Sequence, residues 1–255
     1  MAGRTDKTTD PKLLASLLLA RRGQAYFSRK LNELRNDELD APSLVPGWTR
    51  RHVVAHVGLN ARALTRLTEW AATGVETPMY ASREERDAEI EYGATLPARA
   101  LRNLSAHAAV HLNVEWRDLS DDAWNAQVRT AQGRLVPASE TVWMRTREVW
   151  VHAVDLDNGA SFRQLPAELV DALLADVTRT WRARADAEGF VVPLLEPTDR
   201  PAAVGEGGAR QDGDERRPHL RGRAADLAQW ATGRGGGSLL TAADGAPVPP
   251  PPRWL

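Results

Sequence analysis

The stretch that decides the fold is "TREVWVHAVDL", residues 146–156. On a helix at about 100° per residue, Glu148, His152 and Asp155 fall on one narrow arc with Thr141 and Arg145 from the preceding turns. Apolar side chains take most of the remaining surface: Trp143, Met144, Val149, Trp150, Val151, Val154 and Leu156. A surface helix has one apolar stripe and a broad polar remainder, and here the proportions are reversed. The pattern indicates a largely buried helix whose polar arc faces something specific.

Four segments carry the apolar spacing of long helices. They cover about residues 11–33, from the N-cap Thr49 to about residue 73, about residues 97–119, and from about residue 139 to before Gly159. Four long helices of this kind predict an up-and-down four-helix bundle. Between the third and the fourth, residues 126–137 predict a short β-ribbon or an ordered loop that turns at Gly133.

After Gly159 the predicted secondary structure changes from long helices to a mixture of helices and strands. Helices are predicted over residues 166–187 and 223–234, and strands over the apolar runs 190–195 and 238–242. The charged, glycine-rich segment 197–218 predicts a hairpin loop or a mobile connection. Mixed helix and strand indicates a small α/β domain. We therefore predict an α+β protein with two domains, residues 1–160 and 161–255.

Composition narrows the class of function. A formal net charge of −1 over 255 residues gives no electrostatic reason to expect nucleic acid or an anionic membrane surface as a partner. The run "LLASLLLA" at 13–20 is too short to cross a membrane and lacks the cleavage site of a signal peptide, so we expect a cytoplasmic protein. The sequence does not fix the oligomeric state, and a monomer is the working expectation.

The pair Glu148 and His152, one helical turn apart, has two interpretations. It is either an ordinary solvated pair, the commoner case at this spacing, or half of a metal site. The buried flanks of its helix strengthen the second interpretation, which from the residues alone is a hypothesis. A third ligand is available in the second helix, where His56 shares the inward face with Val53, Asn60 and Leu64. His52, in the first turn of that helix, is expected to be solvated. His107 and His111 form a rival pair, which we expect to be partly exposed helix histidines.

The chemical types of the three candidate ligands indicate which ion would bind. His56, Glu148 and His152 would supply two imidazoles and one carboxylate, which suit zinc, and three protein ligands leave the fourth position open. An open zinc ion deprotonates a water or a thiol, and the residues alone do not decide which. Because the chain contains no cysteine, a thiol would have to arrive as a separate molecule.

Four motifs carry a resemblance to a known family. They are "PGWTRRHVVAHV" at 46–57, "TAQGRLVPASETVWMRTREVWVHAVDL" at 130–156, "WATGRG" at 230–235 and "PPRWL" at 251–255. Together they resemble the mycothiol-dependent maleylpyruvate isomerases of the DinB-like superfamily. The helix motifs are shared with other mycothiol- and bacillithiol-linked proteins of that superfamily, whereas the second and fourth motifs favour the isomerases. The match runs over nearly the whole chain.

The resemblance implies a fold, a metal site and a functional arginine. The fold is a DinB-like four-helix bundle, which binds metal and thiol, followed by a small α/β domain. The divalent metal, zinc, would fall on His56, Glu148 and His152. The family's functionally important arginine falls on Arg234; without the resemblance, Arg234 would be taken for a helix C-cap charge beside Gly235.

The implied reaction is cis-to-trans isomerisation of maleylpyruvate to fumarylpyruvate, a step in gentisate breakdown. Mycothiol at the open zinc position would add to the conjugated double bond as a thiolate, the resulting single bond would rotate, and elimination would return the thiol as a cofactor. Arg234 would stabilise the charge on the conjugated carbonyl or bind a substrate carboxylate. The alternatives are a mycothiol S-transferase, a metal-dependent hydrolase and a non-catalytic helical binding module.

Overall fold

A computed structural model describes residues 5–200 and 217–254, and most of the predicted loop at 197–218 lies outside the described residues. The chain divides into two compact units, Met1–Ala160 and Ser161–Leu255. The helices of the first unit are α1 (Pro11–Glu33), α2 (Arg50–Thr73), α3 (Arg83–Ala94), α4 (Ala98–Asp118), α5 (Asp121–Asn125) and α6 (Glu140–Asp155). Its strands are β1 (Gln127–Arg129) and β2 (Leu135–Pro137).

The four predicted long helices are confirmed as α1, α2, α4 and α6. Helix α1 packs on α6, and α2 packs on both α4 and α6. The N-termini follow the sequence signals: the Asp10 side chain accepts a hydrogen bond from the Lys12 N–H at 2.8 Å, and Thr49 caps α2. The predicted β-ribbon is confirmed as well, with β1 and β2 antiparallel and Gly133 at φ 81° in the turn between them.

Helix α6 is enclosed, as its composition predicts. Every one of its residues is buried or half-buried. On one side α1 approaches closely enough that a Cβ on Gly23 would lie 2.6 Å from Cδ1 of Trp150. The indole N–H of Trp150 donates to the Leu19 carbonyl at 3.1 Å, so this side chain joins the two helices through both packing and a hydrogen bond.

Helix α3 is missing from the sequence-based prediction. Its sequence, "REERDAEIEYGA", is charged around most of its circumference, and only Ile90, Gly93 and Ala94 are buried. It packs on α2, where a Cβ on Gly93 would lie 2.8 Å from the Cβ of Ala55. Three buried residues, of which only Ile90 is large, form an apolar stripe too short for periodicity to detect. The helix matters because it brings Arg86 beside α2.

The second unit combines two helices and a small mixed sheet. Its elements are α7 (Ala167–Glu188), β3 (Leu194–Pro197), β4 (His219–Gly222), α8 (Ala224–Ala231) and β5 (Thr241–Ala242). Strand β3 pairs with β4 in parallel, and β4 pairs with β5 antiparallel. The predicted strands are too long. The run 190–195 joins the sheet only from Leu194, and the run 238–242 begins in a 3₁₀ turn and joins the sheet only at Thr241 and Ala242.

The prediction of an α+β protein with a helical bundle and a small α/β part is confirmed. The proline-rich end is extended, and two tryptophans hold it within the second unit. Trp181 and Trp230 donate their indole N–H groups to the carbonyls of Pro252 and Pro249, each at 3.0 Å. Across the part of the chain that the structure describes, no helix is both long and apolar enough for a membrane crossing.

Candidate metal centre

Three side chains from two helices converge inside the bundle. Nε2 of His56 on α2 lies 2.8 Å from Oε2 of Glu148 on α6, and Nε2 of His152 lies 3.1 Å from the same oxygen. The two imidazole rings stand edge to face at 82°, with their centres 4.8 Å apart. The side chains of His56, Glu148 and His152 are only 8% to 14% exposed. The solvated-pair interpretation of Glu148 and His152 is therefore wrong.

The ionisation of the group follows from this burial and pairing. Burial would raise the pKa of the Glu148 carboxyl, but hydrogen bonds from His152 and His56 outweigh it and hold that pKa well below its usual range. Burial lowers the pKa of His56 despite the neighbouring Glu148. Burial would also lower the pKa of His152, but hydrogen bonds to Asp155 and Glu148 raise it to about 8. Glu148 is thus an anion between a neutral and a readily protonated imidazole.

Asp155 orients one of the imidazoles. Its carboxylate Oδ2 lies 2.8 Å from Nδ1 of His152, and the side chain is fully buried one turn further along α6. A carboxylate that accepts from one ring nitrogen fixes the tautomer and leaves the other nitrogen for a metal. Asp155 belongs to the arc of α6 that the sequence singles out, but its pairing with His152 depends on side-chain direction.

The start of α2 and the residues just before it contact the end of α6 and the His56 ring. Arg50 donates from Nε to the Leu156 carbonyl and from Nη2 to the Asp157 carbonyl, both at 2.6 Å, which ties the start of α2 to the end of α6. The loop before α2 places the Trp48 ring 5.5 Å from the His56 ring. These contacts hold the two ligand-bearing helices together where the three side chains meet.

Two further groups surround Glu148. Arg145, one turn earlier on α6, is buried and donates to the Val57 carbonyl at 2.7 Å and to the Asn60 side chain at 2.9 Å. Burial lowers the pKa of Arg145 to about 10, against the attraction of Glu148. Burial raises the pKa of Tyr80 to about 12, so this phenol stays protonated.

The three side chains fit a divalent ion. One ligand atom from each of His56, Glu148 and His152 lies within 4.8 Å of the other two. The ligands of a tetrahedral ion at about 2.0–2.1 Å stand roughly 3.3 Å apart, which is close to the separations from Glu148 to the two imidazoles. Two imidazoles and one carboxylate form a zinc donor set with one position open, and Asp155 completes the outer shell.

Comparison with known proteins identifies the family of this chain. The family model described as "Mycothiol maleylpyruvate isomerase N-terminal domain" matches residues 20–157. A crystal structure of the mycothiol-dependent maleylpyruvate isomerase is 43% identical to this chain, with a TM-score of 0.86 over 95% of this chain and 97% of the other. The chain belongs to the mycothiol maleylpyruvate isomerase family. The crystal structure of a histidine-to-alanine mutant of that isomerase matches with the same 43% identity, coverage and TM-score of 0.86. No curated protein sequence matches the chain.

The other histidines in the first unit of this family member, His52, His107 and His111, do not belong to the group. The expectation of a solvated His52 is wrong: the ring is half-buried, and its Nδ1 accepts from the Thr49 N–H at 3.2 Å within a capping box. His107 and His111 are exposed, and His111 lies 3.4 Å from Glu115.

Arg234 lies in the second unit of the isomerase-family fold, just after α8. It is half-buried, and its Nη1 donates to the Thr232 carbonyl at 2.6 Å. Three neighbouring glycines, Gly233, Gly235 and Gly236, have φ values of 79°, 74° and 82°, so the chain turns sharply on both sides of it. The substrate-binding role that the resemblance implies for Arg234 stays a prediction.

We predict that Asp155→Asn weakens metal binding. The amide does not stabilise the His152 ring as the carboxylate does, and loss of such an outer-shell partner costs about 10–100-fold in metal affinity. Zinc affinity would be measured by competition with a chromogenic chelator. Asp157→Asn is the matched control, since Asp157 is exposed and its φ of 49° suits Asn equally well. Equal zinc affinities in the two variants would remove Asp155 from the site.

Proposed function

We propose that this protein is a metal- and mycothiol-dependent maleylpyruvate isomerase that converts maleylpyruvate into fumarylpyruvate. The observation that carries the proposal is the buried His56–Glu148–His152 group, in a chain 43% identical over 95% of its length to a solved mycothiol-dependent maleylpyruvate isomerase. The reaction changes the geometry of one carbon–carbon double bond and leaves the composition of the substrate unchanged.

His56, Glu148 and His152 would hold the divalent ion, which we take to be zinc. The bound ion would lower the pKa of a thiol, and the mycothiol thiolate would supply the nucleophile whose reversible addition makes the double bond rotatable. Asp155 holds the His152 ring in the orientation that a ligand needs. Trp48, packed on the His56 ring, restricts its movement.

Arg234 would act on the substrate. The conjugated carbonyl gains negative charge during the reaction, and a positioned guanidinium stabilises that charge or holds a substrate carboxylate by two hydrogen bonds. The backbone around Arg234 is compatible with such a role. Arg234 follows the end of α8, between glycines that turn the chain, and its side chain is half-buried.

The thiol must come from outside the chain. With no cysteine among the 255 residues, the protein has no thiolate of its own to add to the double bond. A reaction that uses a free thiol needs a reducing compartment, so we further propose that the protein works in the cytoplasm.

The first prediction concerns thiol dependence. Purified, zinc-loaded protein should isomerise maleylpyruvate only when mycothiol is added, because the nucleophile is external. The measurement is the initial rate with and without mycothiol, with fumarylpyruvate identified as the product. A rate that needs no thiol would point to a hydrolase or another chemistry at the ion. A stable thioether product would identify an S-transferase.

The second prediction concerns the ligands. His56→Ala and His152→Ala should each lose bound zinc and activity together, because three protein ligands leave no spare one. Zinc per chain would be measured by atomic emission alongside the isomerisation rate. His107→Ala is the matched control, since His107 is an exposed helix histidine and should keep both. Full zinc occupancy in either ligand variant would reject the site.

The third prediction concerns Arg234. Arg234→Ala should keep its zinc but lose activity by about 10²-fold, the usual cost of removing one group that stabilises developing charge. Arg253→Ala, an exposed arginine of the same unit, serves as the control. If Arg234→Ala turned over as fast as the parent, the side chain would have only a capping role at α8.

A further inference from the structure

Arg86 lies against the other ring nitrogen of His56. From α3, its Nη2 lies 3.4 Å from Nδ1 of His56, and its guanidinium carbon lies 5.9 Å from the centre of the Tyr80 ring. Its Nη1 donates to the Asp87 carboxylate at 2.6 Å. Because a guanidinium only donates hydrogen bonds, Nδ1 of His56 must accept here. Nε2 then carries the ring proton and directs it at Glu148.

Binding of an ion would reverse which ring nitrogen of His56 carries the proton. Nε2 of His56 faces Glu148 at 2.8 Å and is the nitrogen that would ligate the ion. A neutral imidazole that ligates through Nε2 carries its proton on Nδ1. The Nδ1–H of His56 and an N–H of Arg86 would then face each other as two donors. The guanidinium therefore has to leave Nδ1 and meet a different acceptor.

Arg86 is partly exposed and hydrogen-bonds with two further side chains, those of Asp87 and Tyr80. Its side chain is 29% exposed, and the carboxylate of its partner Asp87 is 54% exposed, so the pair between them holds the guanidinium only weakly. The guanidinium of Arg145, by contrast, is fixed in place. Arg145 is buried and donates to neutral acceptors on two helices, among them Asn60 at 2.9 Å and Gln24 at 2.8 Å.

We propose that Arg86 binds a substrate carboxylate when the ion is in place, an inference that rests on the proposed function. Maleylpyruvate has a carboxylate at each end, so it offers two anionic groups, and Arg234 accounts for at most one of them. The carboxylate attached to the double bond lies nearest the reacting carbons. An arginine in contact with a metal ligand is placed to hold it by two parallel hydrogen bonds. The Tyr80 ring provides a face for the guanidinium plane.

The test compares Arg86→Met and Arg86→Lys with the parent, using full-length, zinc-loaded protein. Arg83→Met is the matched control, because Arg83 is exposed on the same helix. The measurements are KM and kcat for maleylpyruvate with mycothiol, and zinc affinity by chelator competition. Loss of a charge-assisted bidentate contact should raise KM by about 10–100-fold in Arg86→Met. Lysine keeps the charge without the fork, so Arg86→Lys should give an intermediate KM.

Zinc affinity separates this role from a structural one. Arg86→Met should bind zinc at least as tightly as the parent, because the variant removes the donor that opposes Nδ1–H of His56. Weaker zinc binding in step with lower activity would mean that Arg86 merely supports His56, and the proposal would fail. An unchanged KM with an active parent would reject the substrate contact alone. An inactive parent would overturn the proposed function and the substrate contact together.

Discussion

The enclosure of α6 on all sides is the constraint on which the site depends. A helix with no exposed residue must satisfy its polar side chains inside the protein, because an unpaired buried polar group costs about 1–3 kcal/mol, and more when it is charged. Glu148 and His152 find partners in His56 and Asp155, and Arg145 finds acceptors on α1 and α2. The polar arc therefore fixes how three helices are rotated about their axes.

The polar arc of α6 has a balanced set of charges. Without an ion, its carboxylates Glu148 and Asp155 are balanced by Arg145 and a protonated His152. A divalent ion would displace the proton of His152, and its two charges together with that of Arg145 would exceed the two carboxylates by one. A buried excess of positive charge is costly unless an anion joins it. An anionic thiolate at the open position would restore neutrality, so an ion bound here would favour ligands that arrive with, or acquire, negative charge.

Sequence periodicity predicts which side chains of a helix face the interior of the bundle, and this is enough to select the three residues of the site. His56 is identified because it shares a face with Val53 and Leu64, and Glu148 and His152 because their helix is apolar elsewhere. The periodicity does not predict α3, which buries only three residues, so Arg86 and its contact with His56 are not foreseen. Nor does it predict the parallel pairing of β3 with β4, because the composition of β4 is largely polar and its partner is distant in the chain.

His56 and Glu148 stand 92 residues apart in the chain, on helices that meet only in the folded bundle. An ion that binds both therefore recognises the native state and not the unfolded chain, in which the ligands are scattered. By mass action such an ion raises the free energy of unfolding, by about 2.7 kcal/mol when its free concentration is one hundred times its dissociation constant. An ion held by this group would therefore act as a tertiary cross-link, and the stability of the bundle would depend on the concentration of free metal.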